Sequence, residues 1–109
     1  MCIDNYVHII LYVHMEFTWD PIKDNHNKSK HGISFETASW VFSDPLQMSV
    51  LDRVVDGEQR WKTMGRIGAL AIIVVVHTYT EKNGEEIIRI ISARKATRRE
   101  RKYYEKGHH

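Results

Sequence analysis

The chain has 109 residues, of which 42% are apolar and 10% aromatic. That is enough for one modest core and too little for two, and it excludes disorder and low-complexity classes. One cysteine, Cys2, excludes a disulfide framework and a Cys-based zinc cluster. The net charge of +2 hides an asymmetry. Residues 1–93 carry nine Lys/Arg against twelve Asp/Glu, whereas residues 94–106 carry seven against two. An acidic body with a basic C-terminal segment points either to a polyanionic partner or to a solvated cationic helix face.

Residues 1–14 hold an apolar stretch, Val7–Val13, with neither the positive flank nor the cleavage pattern of a signal peptide. No run reaches the length of a membrane span. A cytoplasmic protein with no membrane contact is expected. Residues 1–14 are expected to be an N-terminal extension, 15–106 a single domain and 107–109 a C-terminal tail.

Met15–Trp19 alternates polar and apolar residues like a short strand. Asp20-Pro21 supplies an N-cap and a proline at the first helical position, so a polar helix is expected from Pro21 to His31. Gly32 fits the left-handed position beyond its end. Ser34 caps a second helix, with Phe35, Ala38, Val41 and Phe42 as its buried stripe, and Asp44-Pro45 stops it. Four strand-like runs follow: Gln47–Asp52, Arg60–Arg66, Leu70–Thr80 and Glu86–Lys95. Asp56-Gly57, Ile67-Gly68 and Asn83-Gly84 mark turns, and such short connections imply antiparallel pairing. The run Ala71–Val76 is apolar on both faces and is expected at the sheet centre. Thr97-x-x-Glu100 has capping-box form and opens a basic helix ending near Lys106. The class is α+β, with an antiparallel sheet of four to five strands.

Arg60, Lys62 and Arg66 share strand parity; Arg98, Arg101 and Lys102 share a helix face. Guanidinium forks suit phosphate, and surface ion pairing is the alternative for each. His31 closes the first helix, where capping and proton exchange are both open roles. His77 ends the central strand, next to Thr78 and Tyr79, and is equally open. His26 and His31 are five apart without further obvious ligands, so no metal site is expected, and none is assigned to His108-His109.

The segments Trp19-Asp20-Pro21-x-Lys23, Lys30-His31-Gly32-Ile33-Ser34-Phe35-Glu36 and Val41-Phe42-x-Asp44-Pro45 resemble the start of the BrnT toxin family. The closing run Arg89-Ile90-Ile91-Ser92-Ala93-Arg94-Lys95-Ala96-Thr97-x-x-Glu100-Arg101-x-x-Tyr104 resembles its end. The resemblance implies a RelE-like fold and a type II toxin that cleaves RNA without a metal or other cofactor and arrests translation. It implies a ribbon-helix-helix antitoxin as partner, and operator DNA bound only through that complex. Metal-free cleavage needs a base, an acid and cations for the phosphorane. His31 is the first candidate for proton transfer, with His77 or Tyr79 as alternatives, and Arg94 completes the catalytic set as a stabiliser of the phosphorane charge. Lys30, Arg60, Arg66, Arg89 and Arg98 are the candidate RNA contacts. The rival function is a non-catalytic module that docks an antitoxin or nucleic acid through the basic C-terminal segment.

Overall fold

The computed structural model describes residues 15–69 and 71–107. The expected N-terminal extension, Leu70 and the last two residues of the tail lie outside them. The elements run β1 (Met15–Thr18), α1 (Pro21–His31), α2 (Phe35–Ser39), a 3-10 turn (Trp40–Ser43), β2 (Met48–Val55), β3 (Glu58–Ile67), β4 (Ala71–Lys82), β5 (Glu85–Lys95) and α3 (Arg98–Lys106). They form an α+β domain around one five-stranded sheet of order β1-β5-β4-β3-β2.

The caps act as local chemistry dictates. The Asp20 carboxylate accepts from the Ile22 N–H at 2.8 Å, and Gly32 takes φ 73° to close α1. Thr97 and Glu100 complete the capping box of α3. The Asp56-Gly57 and Asn83-Gly84 turns have positive φ at both residues, as two-residue hairpins require.

One pairing differs from the expected all-antiparallel sheet: β1 runs parallel to β5, with Phe17 opposite Ile88. The whole of α1 to β4 separates the two strands, so no short turn forces them antiparallel. The second helix also tightens at Trp40 into the 3-10 turn, which sends Val41 inward while Trp40 stays 62% exposed.

β4 is the central strand, and it buries both faces. Ile73 and Val75 pack with Ile33, Phe35, Ala38, Val41, Ile88 and Ile90 beneath α2 and the 3-10 turn. Ile72 and Val74 pack with Met64, Ala96 and Tyr104 beneath α3. Gly65 lets the chain approach Val41, since an added Cβ would lie 2.8 Å from the Val41 Cγ1 and O. The surface helix α1 is anchored by a polar residue rather than by Ile22, which stays exposed. Buried Asn27 donates to the Ala93 O at 2.8 Å and accepts from the Ala93 N–H at 3.1 Å. It thereby pairs with β5 where β1, matched only to Glu86–Arg89, has already ended.

Candidate nucleic-acid interface

The candidate site follows from register. On β4, Val74, Val76 and Thr78 alternate and so face one way. Their partners are Arg94, Lys62 and Arg89 respectively. All three cations therefore share the α3 face, and Arg60 joins them two residues before Lys62. Arg89 and Arg94 are five residues apart and would oppose each other in a regular strand. A bulge between Val76 and His77 gives β5 an extra residue and brings them to the same side.

α3 covers only one end of this face, and its first turns border the cations. Arg94 holds Glu100 with two hydrogen bonds, of 2.7 and 3.0 Å. Lys62 Nζ lies 4.0 Å from both Glu100 and Asp52. Glu58 sits between two guanidiniums, 2.8 Å from Arg89 and 3.3 Å from Arg60. The Arg89 guanidinium holds the Glu58 carboxyl below its ordinary value, and Arg60 adds to this. Arg94, with help from the Thr97 N–H, holds Glu100 down at about 2. Both carboxylates are thus ionised at neutral pH. The face is cationic, with each positive fork already docked on an exchangeable anion.

The imidazoles and phenol expected among these arginines lie elsewhere. His77 and Tyr79 are odd-numbered β4 residues and point to the opposite face. Both line a groove there with Phe42, Ser49 and Trp61. His77 is buried, its ring edge-on to Phe42 and bonded to Thr63 at 2.7 Å. Burial pushes its pKa down. Burial, with Glu86 and Glu81 nearby, pushes the Tyr79 phenol up, so it stays protonated. His31 and Lys30 line a separate groove with His26, against Ile91 and Ser92 of β5. Arg98 is exposed at the first position of α3. Arg66 stands at the far end of β3, its guanidinium 5.7 Å from the centre of the Tyr104 ring. Among the described residues, no three His, Cys, Asp or Glu side chains cluster as a metal site would need.

Two site residues escaped sequence reasoning. Glu58 shares parity with Arg60 and Lys62, a signal available in the strand pattern. Glu100 was legible as a capping residue, but its second role as the anion for Arg94 needs the fold.

The family model described as "Ribonuclease toxin, BrnT, of type II toxin-antitoxin system" matches residues 19–100. The chain belongs to this family. The crystal structure of the Brucella abortus ribonuclease toxin BrnT aligns with a TM-score of 0.54 at 24% identity. The alignment covers 77% of this chain and 99% of that one. This likeness carries the fold, in accord with the expected RelE-like α+β domain. A comparison with curated proteins finds no match. BrnT membership supports a ribonuclease toxin of a type II toxin–antitoxin pair, and so an antitoxin partner and an RNA substrate. No helix among the described residues is long and apolar enough to cross a membrane.

Proposed function

We propose that this BrnT-family chain cleaves RNA on the open part of the α3 face, without a metal, and so arrests translation. The observation that carries the reading is Glu58 held between Arg60 and Arg89, with Lys62 and Arg94 on the same face. An incoming phosphate competes with Glu58 for the two guanidiniums and frees the carboxylate beside the ribose. Glu58 then takes the proton of the 2′-hydroxyl while the 2′-oxygen bonds to phosphorus. Arg60, Arg89 and Arg94 stabilise the charge of the phosphorane. The bond from phosphorus to the 5′-oxygen breaks, leaving a 2′,3′-cyclic phosphate. Lys62 supplies the proton to the departing oxygen, because guanidinium groups do not release theirs.

The experiment is cleavage of labelled RNA by the purified chain in EDTA. Cleavage supports the enzyme; binding without cleavage favours the docking module, since the same forks hold Asp and Glu as well as phosphate. Glu58→Gln is expected to slow cleavage by about 10²–10⁴-fold, the usual scale for a lost general base, and His31→Ala by less than about tenfold. The reverse order would move proton transfer to the α1 groove.

The antitoxin in this reading is a ribbon-helix-helix protein that covers the cationic face, and the pair binds its own operator. Growth arrest on expression, relieved by the neighbouring gene, tests the pairing. Operator binding by the pair but not by the toxin alone tests the regulation.

A further inference from the structure

Beyond the cationic face, at the opposite end of β3, lies a groove of about 600 Å³. That is within the size range of small-ligand sites. The 3-10 turn supplies one wall as the indole of Trp40, and Arg66 stands on the rim with Thr37, Ser43, Pro45 and Gly68 around it. Trp40 is 62% exposed although its neighbours Ala38 and Val41 are fully buried. An indole left open in this way contributes little to the core. Arg66 is held in place: its backbone N–H donates to the Asp44 Oδ2 at 2.7 Å, and its guanidinium leans on the Tyr104 ring. The Tyr104 hydroxyl itself donates to the same Asp44 carboxylate. A flat apolar wall next to a fixed planar cation matches the two halves of a nucleotide, a base to stack and a phosphate to pair. Arg66 and Lys62 are four residues apart on one strand face, about 13 Å at the usual rise, or roughly two nucleotide steps.

We propose that this groove is a second RNA subsite, which takes one nucleotide outside the cleaved step, its base on Trp40 and its phosphate on Arg66. The inference rests on the RNA reading above and adds a position where the enzyme grips its substrate.

The test uses the full chain and a 2′-O-methyl oligoribonucleotide of mixed sequence, ten nucleotides long, which offers no 2′-hydroxyl for cleavage. The Trp40 contribution to fluorescence is the difference between the parent and Trp40→Phe. Addition of the oligonucleotide is expected to quench that contribution. Trp40→Ala is expected to weaken binding about 5- to 100-fold, the range for one lost stacked base. Its thermal midpoint is expected to match the parent, because the indole is outside the core. Arg66→Gln is expected to flatten the salt dependence of binding by about 0.7 in log–log slope. Binding with an unchanged Trp40 signal and an unweakened Trp40→Ala overturns the subsite. So does a Trp40 signal that responds only to the co-expressed partner protein, which makes the groove a protein-docking site. Cleavage of unmodified RNA separates the two readings. If cleavage persists while Trp40 is silent, the subsite alone fails; if Trp40 is quenched and no RNA is cut, the nuclease reading alone fails. No binding of the oligonucleotide together with no cleavage of unmodified RNA removes both.

Discussion

Nδ1 of His77 lies 3.0 Å from the Thr78 O, and a carbonyl only accepts. Nδ1 therefore carries the ring proton, and Nε2 accepts from the Thr63 hydroxyl at 2.7 Å. Thr63 in turn accepts from Ser49 at 2.7 Å, so the three side chains form one directed chain. A protonated imidazole donates at both nitrogens, so Nε2 can no longer accept from Thr63 and the two hydroxyls have to reverse their direction. Because burial lowers the folded pKa of His77, the unfolded chain binds the extra proton first as the pH falls. This contribution is complete above about 6.5, the ordinary histidine value, and is lost as the pH drops from there through the lowered folded value. The urea midpoint is expected to fall between pH 7.5 and pH 5.5, and the fall to shrink in His77→Gln. An identical pH profile in that variant would refute the assignment. Glu100 acts in a different window. Its folded value of about 2 lies below the ordinary carboxylate value, so its stabilisation is present above about 4.5 and lost toward pH 2. Arg94→Ala is expected to flatten the acid limb of the stability curve there, and an unaltered limb counts against the pairing. His77 shows why residue type is a weak guide to chemistry. The sequence offers an imidazole just past an apolar run, which reads as a strand end; β4 instead continues to Lys82, and the packing of Phe42, Thr63 and Thr78 around His77 decides that it stays neutral.

Among the elements, α1 and β5 depend on each other through Asn27. Its amide bonds the Ala93 N–H, the Ala93 O and the Ile33 O in a buried place. Asn27→Ala is expected to cost about 2–4 kcal/mol, read by urea unfolding, because several buried polar groups lose their partner at once. A loss below about 0.5 kcal/mol, the scale of an ordinary surface change, would mean that water replaces the amide. Gly65→Ala is expected to cost about 1–3 kcal/mol, since its methyl would collide with Val41 backbone and side chain. Both ends of α1 and the starts of α2 and α3 were legible in sequence because caps act over three or four residues: Asp20, Gly32, Ser34 and Thr97 each signal themselves, whereas the tightening of α2 at Trp40 was not signalled. The anchor of α1 was not legible. An asparagine in a polar helix has the same local signature whether it faces water or a strand 66 residues away.

For the molecule as a whole, the basic C-terminal segment is only part of the electropositive surface. Arg60, Lys62 and Arg89 come from the acidic body, and Arg94 meets them across the sheet. RNA binding is accordingly expected to fall steeply with salt. Arg60→Ala, Arg89→Ala and Arg94→Ala should each reduce the log–log slope by about 0.7, the single-strand value per phosphate contact. A slope unchanged in all three would separate this face from RNA. The sequence by itself determined the α+β class, the order of the elements, the bounds of α1 and α3 and the central place of Ala71–Val76. These rest on caps, turns and alternation, which are short-range and survive without knowledge of the fold; the family came from the resemblance of its motifs. Only the tertiary structure decided which side chains meet. Strand residues change face with every step, so one bulged residue in β5 was enough to put Arg89 and Arg94 together. The same alternation sent His77 and Tyr79 to the other side.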